Sequence, residues 1–342
     1  MHGDMYHTGY TGSNSDIVDR FMHQDITLHE DILAALCCPD CKKKLTREGS
    51  FFVCTHPDCQ NRFAIVDGIP VLLSTSSSVF SVETVTAEEK NLPAPIEKLK
   101  ELVLKIIPSF DVNVSAQRNF TEFSDLVLRN TESPKVLVLG GGILGVGLKE
   151  VMDRTPITFI ETDVFIGPRS MLVCDAHDIP FEDALFDAVV VQAVLEHVLD
   201  PQRCVAEIYR VLKHDGLVYA ETPFMQPVHM GRYDFTRFSH LGHRRLFRNF
   251  KEIRSGTTGG PGTALAWSYK YFLLSFVTAR FARFFINVFT TLTSFWLKYF
   301  DYYLQKRPGS LDAAAGYYFI GRKSRQVLSD KELITSYKGC FR

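Results

Sequence analysis

A doubly wound α/β sheet, preceded by a small cysteine-rich β module, is the fold class that the sequence predicts. Three observations predict it. An apolar run, Lys135-Val-Leu-Val-Leu139, leads without a break into the glycine loop Gly140-Gly-Gly-Ile-Leu-Gly145. Four further apolar runs follow before Pro223, with helix-like stretches between some of them, which is the pattern of a parallel sheet built by crossovers. Five of the eight cysteines crowd between Cys37 and Cys59.

The first run is continuous in β-branched and Leu residues, as a strand buried on both faces requires. Glycines at its end allow a tight turn and bring backbone N–H groups close to a ligand. The second strand, Ile157 to Ile160, is followed by Glu161-Thr-Asp163, where a carboxylate would meet ribose hydroxyls. The third, Ser170 to Cys174, ends in Asp175-Ala-His-Asp-Ile-Pro-Phe181. The fourth, Phe186 to Val191, runs into Gln192-Ala-Val-Leu-Glu196-His197 and an amphipathic helix over 201–212. His214-Asp215-Gly216 turns into the fifth strand, Leu217 to Thr222. A polar loop through His229, Asp234, Arg237 and His240 leads to a helix over 243–250, a sixth strand at Lys251 to Arg254 and a seventh at Gly316 to Arg322.

Upstream of the sheet, residues 1–30 read as a loose arm and 31–73 as the cysteine module. Residues 74–95 read as a linker, Ile96 to Ile107 as a helix, and Asn119 to Leu128 as the helix before the first strand. In the module, Cys38 and Cys41 are separated by two residues, Cys54 and Cys59 by four, with twelve between the pairs. Two Cys pairs on turns are what tetrahedral Zn2+ needs, and so short a segment depends on the metal for folding energy. With four thiolates the site is closed, hence structural.

The main α/β unit spans 96–323, and 324–342 reads as a polar tail. Between the sixth and seventh strands lies an aromatic insertion, 256–315. From Arg280, polar residues recur at steps of three or four beside a broad greasy face, which is an amphipathic helix to about 305. Its longest uncharged run, Phe284 to Leu297, is 14 residues, short of the ~20 that span a bilayer. Three uses stay open for 264–304: a covered core or homodimer helix, an interfacial helix at a membrane, or a lid over an apolar or lipid-linked substrate.

Taken together, the glycine loop, Asp175-Ala176 before Ile179-Pro-Phe181, the Phe186-Asp187 strand start and the Leu195-Glu-His197 helix start resemble class I S-adenosylmethionine-dependent methyltransferases of the type 11-like subgroup. The resemblance implies a seven-stranded Rossmann-like sheet. It implies that Gly140, Gly142 and Gly145 approach the methionine moiety of S-adenosylmethionine, that Glu161 or Asp163 holds the ribose, and that Asp175 and Ala176 contact adenine. Gln192 and Ala193 would floor the cleft. The acid common within that family's first strand is Val138 here, so one contact is missing. If the acceptor is a hydroxyl, His197, His229 and His240 are candidate bases, with Asp234 or Glu196 to orient one. The cysteine module, with Asp67-Gly-Ile-Pro-Val-Leu-Leu73, resembles the zinc-ribbon family that includes the activator subunit of eukaryotic tRNA and protein methyltransferases. In that family the module stabilises a separate enzyme; the resemblance implies that here it is fused to one.

Composition narrows the partners. At 342 residues, 46% of them hydrophobic, the chain can bury the core of two or three domains. A formal net charge of −1 argues against bulk nucleic acid, leaving a small-molecule, glycan or lipid-linked acceptor. The first residues lack a secretory pattern and the cysteines cluster for metal, so a cytoplasmic protein, peripheral to a membrane if at all, is expected. Two alternatives stand beside methyl transfer: a catalytically silent cofactor-binding scaffold, and a nicotinamide-dependent oxidoreductase resting on the glycine loop alone.

Overall fold

The computed structural model describes residues 28–85, 109, 112–152 and 156–340. Most of the expected arm, the second half of the expected linker and the helix expected over Ile96 to Ile107 lie outside them.

The strands are β1 (Leu45–Glu48), β2 (Phe51–Cys54), β3 (Arg62–Val66), β4 (Ile69–Leu72), β5 (Lys135–Leu139), β6 (Thr158–Asp163), β7 (Leu172–Cys174), β8 (Phe186–Gln192), β9 (Leu212–Pro223), β10 (Phe250–Gly259) and β11 (Gly316–Lys323). They form one sheet in the order β1-β2-β3-β4-β7-β6-β5-β8-β9-β11-β10. The seven strands expected in the main sheet correspond to β5 to β11, and the four of the N-terminal module extend that sheet to eleven among the described residues. The cause is β4, which pairs in parallel with β7 (Val71 with Val173, Leu72 with Cys174) and so joins the antiparallel N-terminal strands to the parallel ones. β11 pairs antiparallel with β9 and with β10. The direction of growth reverses between β5 and β8, which leaves a crevice at the carboxyl ends of those two strands.

Alternation places Leu137, Leu139, Val189 and Val191 in one core and Val136, Val138, Ala188 and Val190 in another, so the sheet is apolar on both sides. Helix Ala116–Asn130 (α3, after the short α1, Glu30–Ala34, and α2, Val82–Val85) covers the second core with Phe120, Phe123 and Val127, spaced three and four apart. α4 (Lys149–Met152) follows the glycine loop. α5 (Pro201–Val211) covers the first core with Cys204, Val205 and Ile208. Asp200 caps it by accepting from the Arg203 amide at 3.0 Å, and Pro201 occupies its first turn. That start corrects the helix start expected at Leu195-Glu-His197, which instead lies in turns. The first core also takes in Ile32, Leu36, Phe52 and Phe63, so the N-terminal module shares its hydrophobic interior with the sheet.

α6 (His240–Leu246) begins earlier than expected because the Ser239 hydroxyl caps it, accepting from Gly242 N at 3.2 Å. The insertion folds as α7 (Pro261–Leu274), α8 (Arg280–Ser294), a short 3-10 turn over Phe295–Leu297 and α9 (Lys298–Leu304). Its amphipathicity is inverted. Thr290, Thr291, Ser294 and Asp301 are buried, whereas Phe281 is 75% exposed and Phe284, Phe285, Phe289, Tyr299 and Phe300 are exposed as well. The reading of a covered core helix is corrected accordingly. Among the described residues, no helix is long and apolar enough to cross a membrane. The stretch expected as a polar tail holds α10 (Asp330–Thr335), started by Ser329 and Glu332 in a capping box, with Leu333 buried.

Candidate active site and metal centre

The glycine loop sits at the reversal point. Gly140 has φ 72°, a left-handed conformation open to glycine, and a Cβ there would meet Val194 Cγ2 at 2.4 Å. A Cβ on Gly145 would lie 1.9 Å from Gln192 Oε1, so the loop and the end of β8 are in contact. Gln192 donates to the Val146 carbonyl at 3.2 Å and to Glu221 Oε2 at 2.9 Å. The next residue, Ala193, has φ 53°, and strain of this kind clusters at working sites.

The two acids of β6 have different surroundings. The Gly142 amide donates to Asp163 Oδ2 at 3.0 Å, and Asp163 Oδ1 accepts from Val164 N and Phe165 N. Glu161 is buried and held by Arg169 through two bonds of 2.8 and 2.6 Å. At the end of β7, Asp175 is buried beside Ala176. Its Oδ1 accepts from the His177 amide at 3.0 Å and lies 2.5 Å from His177 Nδ1, while its Oδ2 accepts from Ser78 at 3.0 Å. His177 Nε2 in turn accepts from Asp200 N at 3.0 Å, tying this turn to the start of α5. The first residues of the expected linker are therefore bonded to the sheet: Ser74 to Asp40, Ser77 to Asp178 and Ser78 to Asp175. Phe80 packs edge to face on Phe165 and tilted against Tyr233, at centroid distances of 5.6 and 5.5 Å.

Beyond Gln192, Glu196 and His197 meet the loop after β9. The His197 and His229 rings lie edge to face with centroids 4.8 Å apart. His197 Nδ1 is 2.7 Å from the Tyr233 carbonyl, and His229 Nδ1 is 3.3 Å from Asp234 Oδ2. Asp234 pairs with Arg237 and accepts the His229 amide at 2.9 Å. Burial pushes the Asp234 carboxyl up, but Arg237 and the His229 amide outweigh it and hold it at about 2. Burial pushes Glu196 up to about 8 and, with His229 alongside, draws His197 down to about 4; burial also lowers His229. Both imidazoles are therefore neutral near pH 7. Arg237 also donates to the Gln226 and Pro227 carbonyls, so it orders the loop. His240 is packed against Tyr317 at a centroid distance of 5.5 Å, on α6.

Sequence reasoning missed Glu221, Asn113 and Ser78. Glu221 is a buried carboxylate inside an apolar strand, accepting from Asn113 at 3.1 and 3.0 Å as well as from Gln192. A lone acid within Leu217-Val-Tyr-Ala-Glu-Thr222 was the signal that pointed to it. Ser78 carried no such signal.

A family model described as a methyltransferase domain matches residues 143–220. The ubiquinone/menaquinone biosynthesis C-methyltransferase UbiE of Geotalea daltonii is 26% identical over 170 residues, covering 43% of this chain and 69% of that relative. The chain is an S-adenosylmethionine-dependent methyltransferase. The oxidoreductase and silent-scaffold alternatives are set aside. Solved structures similar to this methyltransferase include a candidate sarcosine dimethylglycine methyltransferase of Galdieria sulphuraria, at 16% identity and a TM-score of 0.41 over 61% of this chain and 87% of that one. Another comes from a complex between the Haloferax volcanii Trm112 methyltransferase activator and a candidate methyltransferase, at 17% identity and a TM-score of 0.35 over 64% of this chain and 100% of that one.

In the N-terminal module of the methyltransferase, Cys38, Cys41, Cys54 and Cys59 converge, with Cys38 and Cys59 sulfurs 3.8 Å apart and those of Cys41 and Cys54 3.4 Å apart. A Zn–S bond of about 2.3 Å implies sulfurs about 3.8 Å apart along the edges of a tetrahedron. The cluster fits that metal. Cys37, the odd cysteine, is buried, and its amide donates to the Pro180 carbonyl at 3.0 Å, outside the cluster.

Proposed function

We propose that this methyltransferase modifies an apolar or lipid-linked acceptor at a membrane surface, with a structural zinc ribbon built into its sheet. The cofactor supplies an electrophilic methyl carbon, and this chain's residues bind and align the two reactants. Gly140, Gly142 and Gly145 line the methionine end. Asp163 is the ribose acid of choice, because at the end of β6 it accepts from the Gly142 amide of the glycine loop, whereas Glu161 is already held by Arg169. Asp175 and Ala176 flank adenine; Oδ2 of Asp175, which accepts from Ser78, has lone-pair capacity left for an exocyclic amine. Gln192 floors the cleft. His197 and His229, with Asp234 behind the latter, face the acceptor.

The inverted helix pair carries the acceptor reading. Exposed Phe281, Phe284, Phe285 and Phe289 on α8 are flanked by Arg280 and Arg283, the pairing of greasy face and cationic rim that lipid surfaces favour. The helix pair reaches the acceptor loop through α7, whose Tyr271 hydroxyl donates to the Val228 carbonyl at 3.3 Å.

Two measurements test the reading. In calorimetric titration with S-adenosylhomocysteine, Asp163→Ala is expected to lose on the order of 1–3 kcal/mol of binding, whereas Glu161→Ala mainly lowers stability. Equal affinity for wild type and Asp163→Ala would refute the ribose assignment. In flotation with anionic phospholipid vesicles, wild type is expected to rise with the lipid and the double variant Phe281→Glu, Phe285→Glu to stay below. Each buried Phe contributes about 1.5–3 kcal/mol, so the loss should be complete. Wild type that ignores vesicles and sediments as a dimer would overturn the lipid reading.

A further inference from the structure

The cluster at the end of β8 contains a carboxylate that binding of the methyl donor leaves unexplained. Glu196 is fully buried, and neither carboxylate oxygen has a hydrogen-bond partner. A buried carboxylate without donors is among the least favourable arrangements a fold can hold, so such an acid either stays protonated or is completed by a cation. What faces it are two imidazoles. One donor atom from each of Glu196, His197 and His229 lies within 4.8 Å of the others, and His197 Nε2 is 3.7 Å from Glu196 Oε1.

The second nitrogen of each ring is already occupied. His197 Nδ1 faces the Tyr233 carbonyl at 2.7 Å, and His229 Nδ1 faces Asp234 at 3.3 Å and the Pro227 carbonyl at 3.4 Å. Because those partners are acceptors, Nδ1 carries the proton in both rings and the Nε2 lone pair is left for a ligand. Carbonyl and carboxylate partners orient metal-binding histidines in this way.

We propose that Glu196, His197 and His229 hold a divalent transition-metal ion that binds the oxygen of the methyl acceptor. Two imidazoles with one carboxylate suit Zn2+, Mn2+, Fe2+ or Co2+; Mg2+ and Ca2+ take oxygen ligands instead. Three protein ligands leave positions open for an incoming oxygen. Glu196 stands four residues beyond Gln192, which touches the glycine loop, so the ion sits on the acceptor side of the donor cleft. An acceptor hydroxyl bound there releases its proton to solvent more readily and presents a better nucleophile. The site is chemically distinct from the all-thiolate cluster of the N-terminal module. The proposal rests on this end of the sheet being the methyl-transfer site.

The test is calorimetric titration of Mn2+ into the full chain with its cysteine-bound metal retained, alongside titration with S-adenosylhomocysteine. Wild type is expected to bind one Mn2+ per chain. Glu196→Gln, which keeps the shape but cannot ionise to an anionic ligand oxygen, and His229→Gln, on the loop, should each weaken binding at least tenfold. Loss of the orienting carboxylate in Asp234→Asn should weaken it by about 10–100-fold. Wild type that takes up neither Mn2+ nor Co2+, or a Glu196→Gln variant that binds Mn2+ like wild type, overturns the proposal. If wild type binds S-adenosylhomocysteine but no cation, the metal site fails and the methyl-transfer assignment of this cleft stands. If it binds the cation but no S-adenosylhomocysteine, the assignment of the cleft fails.

Discussion

Cys54→Ser is expected to strip the metal from the N-terminal module and to unfold it. Its strands β1 to β4 are four or five residues long, too short to be stable alone. A structural zinc supplies on the order of 10 kcal/mol of folding energy to such a module. The damage should spread. β4 would leave β7, baring the Val173 edge, and Ser77 and Ser78 would release Asp178 and Asp175 at the proposed adenine end of the cleft. Metal content, urea unfolding and S-adenosylhomocysteine affinity should all fall together. Cys37→Ser, at the buried cysteine outside the cluster, should keep its metal. Full zinc in Cys54→Ser with a wild-type unfolding curve would refute the ribbon.

Asp301→Ala should produce the largest loss among single changes in the helical insertion, about 3 kcal/mol. Asp301 lies on α9, is fully buried, and accepts from the amides of Gly262 and Thr263 at 2.8 and 2.9 Å and from the Thr263 hydroxyl at 2.7 Å. It therefore satisfies two orphan donors at the N-terminus of α7, where the helix dipole also favours negative charge. Alanine leaves those donors buried and unpaired. Asp301→Asn keeps one acceptor and should cost less. Proteolysis should open α8 and α9 in the alanine variant while the distant glycine loop still binds S-adenosylhomocysteine. Denaturant midpoints within experimental error of wild type would show that α7 is held by packing alone.

Much of the parallel sheet could be read directly, because a strand buried on both faces must be apolar along its middle, as Val136 to Leu139 of β5 and Ala188 to Val191 of β8 are. The extensions of β9 back to Leu212 and of β10 on to Gly259 could not, since Lys213, His214 and Thr258 are polar residues that lie where the strand register shifts. Pairing of β4 with β7 is a backbone contact between segments far apart in the chain, and backbone bonds leave no residue signature. Periodicity identified the two faces of the helix after Arg280 but not which one points inward; the buried Thr290 and Asp301 reversed the usual assumption. At the site, glycines and acids were legible because their chemistry is local. The convergence of Glu196 with His229 depends on how the loop after β9 folds back, held by the Phe235 and Thr236 amides donating to the Glu196 carbonyl at 2.8 and 3.2 Å.

The pairing of β4 with β7 makes attachment of the N-terminal module a unimolecular event. A module on a separate chain obeys mass action: dilution releases it, rival clients compete for it, and its supply sets how much enzyme is active. Here stoichiometry is fixed at one by the polypeptide, and the face that would greet another client is already occupied, with Leu36 bridged to Phe181 and Lys42 paired with Glu207. Activity on that side should therefore not depend on gene dosage of a helper. If the cysteine cluster holds zinc as proposed, the remaining lever is the supply of that ion.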